Sequence, residues 1–373
     1  MLASDHWRCV WFGPIVGVFV HDSATEAVRE HAVDFAARHF RPDEASRTRT
    51  PAEHATLAKA FRSLVGKLPA YRVELVHPLV WNGIDACRAL IASDPRTDVG
   101  WRMLGQILID REPAPTPPAS PRYRLPFNPV LDLSLVRATA AMKRALEVDP
   151  NELVTLFRLE DSFSRRAMTD ETIRTIDRLI PVAARNPKPA VLGLLEELNR
   201  KREAYRTSLG PPVATEWHNM AELDRVITQL LAAGRVREAL EVMGGAHPPD
   251  RAPWEALDRM ATLRLHLGEP AEARALWEHG LREAPEPAIA LARMAVAYLA
   301  EANFEAARTA YRRALESRPA LFEACYGLAV LEQDAGDAKS AYEMATRAAA
   351  AAPDPRSREA ASAIVRDVER FAR

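Results

Sequence analysis

From about residue 215 the chain alternates apolar and polar positions in a helical rhythm. Leu223, Val226, Ile227 and Leu230 fall three and four apart, as do Leu291, Met294, Ala295 and Tyr298. Residues so spaced share one face of an α-helix, so each run predicts an amphipathic helix with one side buried. The runs come in pairs, and the pairs repeat. Ala239, Ala273, Ala307 and Ala341 are 34 residues apart, and so are Pro285, Pro319 and Pro353. Gly234, Gly268 and Gly336 keep the same step, with Ala302 in the one remaining slot. Small residues let two helices approach, glycine allows the turn within a pair, and proline ends the second helix. A fixed period of this length predicts stacked helix pairs that share one continuous core.

These residues resemble the tetratricopeptide repeat (TPR) family. Leu291-x2-Met294-Ala295-x2-Tyr298 is followed by Ala307-x3-Tyr311-x2-Ala314 and Pro319. The preceding copy has Leu257, Met260, Ala261, Ala273, Trp277, Gly280 and Pro285; the following one has Cys325, Leu328, Ala329, Ala341, Ala345, Ala348 and Pro353. A weaker copy begins at Leu223 and stops early at His247-Pro248-Pro249. The resemblance implies an all-α, TPR-type α-solenoid of antiparallel helix pairs. It places Trp277, Tyr298 and Tyr311 in the repeat core. Arg264 and Glu332 depart from it, standing where the family carries a large apolar side chain, with Leu265 and Leu331 beside them to fill in.

Upstream the pattern is damaged. Trp101-x2-Leu104-Gly105-x2-Leu108 reads as a first helix, but its partner at Ala138-x3-Met142-x2-Ala145 is displaced by a proline-rich insert at 111–129, which cannot be helical. Gly83 to Asp94 reads as a second-type helix, and Leu156-x2-Leu159 with Phe163, then Thr172-x3-Ile176-x2-Leu179, as a further divergent pair ending near Pro181. The expected divisions are a β-hairpin at 1–22 and a helical segment at 23–79. Divergent TPR-like helices at 80–181 and a linker helix within 182–214 follow, then the array at 215–354. A capping helix at 355–373 carries Ala360, Ile364, Val368 and Phe371 on one face.

The stretch WRCVWFGPIVGVFV, residues 7–20, has another rhythm: two aromatic and β-branched runs about Gly13-Pro14, which predict a hairpin. It is too short to span a bilayer, which takes about 20 residues. It resembles the closing strand pair of soluble domains in membrane glycosyltransferase-like proteins. That resemblance implies an alternative in which the chain is a regulatory or assembly tail whose catalytic part lies upstream of Met1. Membrane association would come only through such a region; otherwise the expected compartment is the cytoplasm.

Composition narrows the function. Fifty basic and 51 acidic residues give a net charge of −1, which excludes the basic footprint of a nucleic-acid binder. Three scattered cysteines form neither a disulfide framework nor a zinc module. No phosphate-binding glycine loop, nucleophile elbow or metal-binding His pair occurs, so the chain reads as a non-enzyme without cofactor or metal. His31, Asp34 and His39 on one predicted helix read as solvated residues, and Asp334 with Asp337 as the interhelix turn of the last repeat, rather than as ligands. The expected activity is that of a scaffold binding a protein or peptide. The resemblance places its groove on the first helices, at Glu255, Asp258, Thr262 and His266, then Val296, then Tyr326, Val330 and Gln333. That face is mixed apolar and acidic and suits an amphipathic or basic peptide. The Lys, Asn and Arg clamp by which some members hold a C-terminal carboxylate is missing: Asp224, Thr228, Asp258 and Thr262 occupy its places.

Overall fold

The computed structural model describes residues 6–12, 17–26, 50–65, 73–111, 128–185 and 189–372. They form 16 helices and one two-stranded sheet. The expected hairpin is present: β1 (Trp7–Phe12) pairs antiparallel with β2 (Gly17–His21), with an irregularity between Cys9 and Trp11. The Gly13-Pro14 turn, the His31–Asp34–His39 helix and most of the proline-rich insert lie outside the described residues.

The described residues fall into two compact units. One joins two distant stretches of sequence. Its N-terminal part holds the hairpin, α1 (Pro51–Val65), α2 (Val73–Ser93) and α3 (Asp98–Arg111). Its C-terminal part holds α13 (Phe304–Ser317), α14 (Phe322–Asp334), α15 (Ala338–Ala351) and α16 (Pro355–Ala372). Successive helices pack on one another in each part, and α2 also packs on α14. The capping face is seated through Ala361, Ile364 and Val368, all buried. The second unit contains α4 (Leu133–Val148), α5 (Leu153–Arg165), α6 (Thr169–Ala184) and α7 (Pro189–Ser208). It continues with α8 (Met220–Ala232), α9 (Val236–Ala246), α10 (Trp254–His266), α11 (Pro270–Gly280) and α12 (Pro287–Ala300). The division thus cuts the 215–354 repeats between α12 and α13. Two other expected boundaries fall inside helices: 79/80 within α2, and 181/182 within α6. Pro181 does not stop α6, which runs three residues beyond it.

The 34-residue pattern specifies the pairs as expected. The fold is all-α and of the TPR type. Trp277 and Tyr311 are fully buried, as are Ala273, Ala307, Ala314, Ala341 and Ala348 where helices meet. Tyr298 is only half-buried; Arg274 lies over its ring, 5.4 Å from the centroid. Gly234, Gly268 and Gly336 have φ of 72°, 75° and 78°, and Ala302 takes the same left-handed turn at φ 56°. Gly234 is doubly required, since a Cβ there would stand 2.5 Å from the Ala167 carbonyl oxygen. Three helix starts are capped by short polar side chains. Asn219 accepts from the Glu222 amide, Asp337 from Ser340 and Asp354 from Ser357, each at 3.0 Å. Asp337 is therefore a helix cap, and Asp334 beside the turn is buried.

At the two departures from the repeat pattern, ion pairs replace apolar packing. Glu332 receives Arg308 through Nε at 2.8 Å and Nη2 at 3.1 Å. Arg264 turns outward to Glu269 at 2.7 Å, while Leu265 and Leu331 are buried beside them.

Candidate functional site

The residues expected to line a groove divide by burial. His266, Val296 and Gln333 have no exposed surface and Val330 is 6% exposed, so these four are interior side chains rather than a surface open to a ligand. Glu255 is exposed; Asp258, Thr262 and Tyr326 are half-buried. Asp258 is also committed: it accepts the Trp277 indole N–H at 2.8 Å and pairs with Arg293. A charge reversal at Asp258 would break this contact, so it cannot serve as a clean probe of a groove. Tyr326 stacks on Phe322, ring centroids 5.5 Å apart.

The burial of the first-helix face in the second unit has a definite cause. Helix α4 packs against both α10 and α12. Eleven of its side chains are buried, among them Val136, Thr139, Ala140 and Met142. Sequence reading identifies α4 as the displaced second helix of a damaged repeat. It does not anticipate that α4 covers helices more than 100 residues downstream.

Arg166, just past α5, fastens this cover. It is 5% exposed and donates from Nη1 to the His266 carbonyl at 2.7 Å and from Nε to the Ser162 carbonyl at 3.1 Å. Nη2 donates to Thr139 Oγ1 at 2.6 Å and to Ser162 Oγ at 3.2 Å. Among the described residues no carboxylate forms an ion pair with it. Its charge instead meets the last turns of α5 and α10, whose free carbonyls carry the negative end of the helix dipole. Burial lowers its pKa to about 10, with Asp132 opposing, so it stays protonated at neutral pH. Burial, then Arg166, holds the His266 imidazole well below its ordinary pKa and hence neutral.

A second polar cluster surrounds Glu269, at the turn between α10 and α11. Lys143 of α4 reaches it at 3.2 Å, Arg237 of α9 at 3.4 Å and Arg264 of α10 at 2.7 Å. Arg237 also holds Glu171 of α6 at 2.7 Å. Burial would raise the Glu269 carboxyl, but Lys143, Arg264 and Arg237 hold it below the usual range. Neighbouring Asp170 rises to about 6, chiefly through burial, although backbone amides donate to it. These groups link four helices. Among the described residues no three His, Cys, Asp or Glu side chains are grouped to hold a metal ion.

The first-helix face remains open on α8 and at the start of α10. Asp224, Arg225, Thr228 and Gln229 are exposed. Arg259 of α10 reaches back to Asp224 at 3.2 Å, and Arg293 of α12 reaches back to Asp258 in the same way. Asp224 and Asp258 are 34 apart, as are Arg259 and Arg293, so the repeat itself encodes this ladder. Laying charges on the 34-residue step would have found it.

No protein-family model matches the chain, and no curated protein matches it. Among solved structures it is similar to MamA, at 16% identity over 42% of this chain and 96% of the other, with TM-score 0.28. It is similar to YrrB, a TPR protein with an unusual peptide-binding site, at 12% identity over 75% and 99%, with TM-score 0.27. Yeast Tom70 is 13% identical over 93% of this chain and 61% of its own, with TM-score 0.30. None of the described helices is long and apolar enough to cross a membrane.

Proposed function

We propose that the chain is a non-enzymatic protein-interaction scaffold. It takes an extended polar peptide along the open first-helix stripe of Asp224, Thr228, Glu255, Arg259 and Thr262. One observation carries this reading: Asp224, Thr228 and Glu255 are exposed, whereas Ala292 and Val296, which take the places of Asp224 and Thr228 on α12, are buried. Stacked helix pairs commonly offer such a face to partners. Its alternating carboxylates and guanidinium groups favour a ligand carrying both charges over an apolar helix.

Selection of binders from a random peptide library on the full chain tests the proposal. Combined Thr228→Lys and Glu255→Lys should weaken the selected peptides at least tenfold, and Glu343→Lys, exposed on α15, should not. Binders indifferent to the first pair would overturn it.

A further inference from the structure

Arg225 of α8, Arg259 of α10 and Arg293 of α12 are each 34 residues from the next and so hold one position of the repeat. Arg259 pairs with Asp224, and Arg293 with Asp258, on the first helix of the repeat before. Arg225 lacks such a rung. The repeat before it is α5 and α6, whose left-handed turn at Ala167 stands 67 residues ahead of that at Gly234, the inserted α7 accounting for the longer step. At that step Phe157 takes the place of Asp224. Arg225 is exposed and, among the described residues, has no ion pair. Glu222, three residues before it, accepts the His218 amide at 2.9 Å. Glu255, in the first turn of α10, is likewise exposed and without an ion pair among the described residues. With the internal pairs set aside, the stripe keeps one free guanidinium on α8 and one free carboxylate on α10. It also keeps two hydroxyls. Thr172, Thr175 and Thr207 each donate to the carbonyl four residues back. Thr228 and Thr262, again 34 apart, have no hydrogen-bond partner among the described residues.

We infer that this stripe selects an extended peptide by a pair of opposite charges: an acidic side chain on Arg225 and a lysine or arginine on Glu255, with Thr228 and Thr262 hydrogen-bonding the peptide between them. The inference rests on the peptide-binding reading of the stripe and names its ligand. Packed helices stand about 8–10 Å apart, and an extended chain rises about 3.3 Å per residue. One to one and a half helix spacings therefore correspond to about three or four residues between the two ligand charges. The Asp224–Arg259 and Asp258–Arg293 rungs are already neutralised within the protein and add little to the choice. Two like charges on the ligand would leave one of them against a residue of its own sign, and such juxtaposition works against binding. The spacing, rather than the direction of the peptide, is what the two free charges fix.

The probe is a random peptide library, selected in parallel on the full chain and on its Arg225→Glu and Glu255→Lys variants. On the native chain, acid–base pairs three or four residues apart should be enriched at least fivefold over like-charge pairs at that spacing. Arg225→Glu should turn the preference to two basic residues, and Glu255→Lys to two acidic ones. Both side chains are exposed, so both variants should melt with the native chain. Should either reversal unfold the chain, Arg225→Gln and Glu255→Gln replace them, and each should erase the preference for one of the two ligand charges. Peptides that lose binding with Thr228→Lys and Glu255→Lys, yet show the same charge pattern on the native and Arg225 chains, would overturn this inference and leave the peptide-binding proposal standing. Peptides indifferent to every stripe variant, or no selected peptide at all, would overturn both.

Discussion

Ala302 occupies a place where three other repeats have glycine, and it adopts the same left-handed turn. A Cβ in that conformation costs about 1 kcal/mol. Ala302→Gly should therefore raise stability by up to about 1 kcal/mol, offset in part by the freer unfolded chain. Urea denaturation followed by circular dichroism measures it, and a loss of stability would contradict the turn's geometry. His266 gives a residue-scale prediction of another kind. Its folded pKa lies well below 6.5, so as pH falls through 6.5 the unfolded chain takes up a proton that the folded chain refuses. Stability then falls with acid, by at most about 1.4 kcal/mol per pH unit from this group. Asp170, raised to about 6, works in the opposite sense, adding stability as pH drops through its folded value. The clean measurement is the difference between the native chain and His266→Gln from pH 7.5 to 5. The native chain should lose more.

At the scale of elements, the two rungs of the Asp–Arg ladder differ in exposure. Asp224 and Arg259 are 67% and 39% exposed, Asp258 and Arg293 only 19% and 27%. Exposed pairs contribute about 0–1 kcal/mol, whereas drier pairs are screened less. Double-mutant cycles should give a coupling of roughly 0.3 kcal/mol for the outer rung and roughly 1 kcal/mol for the inner one, with the outer lost first as salt is added. Helices α8 to α15 were legible in the sequence because their contacts are local: a residue meets its counterpart within one 34-residue step. Where the covering helices pack was not. Arg166 meets His266 100 residues away, and Lys143 meets Glu269 126 residues away. Contacts at such separations leave no periodicity to read. The groove expectation failed at His266 and Val296 for the same reason: burial by α4 is invisible to a pattern that counts only neighbouring repeats.

For the whole molecule, the division into a discontinuous and a continuous unit predicts how the chain opens. Residues 73–111 and 304–372 should lose amide protection together, and 128–303 as a separate group, as cooperative units do. Native-state hydrogen exchange across a denaturant series checks this. Protection lost jointly by 254–300 and 304–351, leaving 73–111 protected, would show that the repeat period outweighs the long-range contacts.

The discontinuous unit also sets an order of events during synthesis. Helix α2 leaves the ribosome early, with Trp81 lacking Phe371 and Arg88 lacking Phe304, the rings they meet in the finished chain. The chain from Glu112 to Asn303 must be made first, which takes on the order of 10–40 s at about 5–20 residues per second. A nascent chain with apolar side chains waiting that long is a natural client for chaperones. Slowing translation near its 3′ end should lower the soluble yield of this protein more than slowing it near the start.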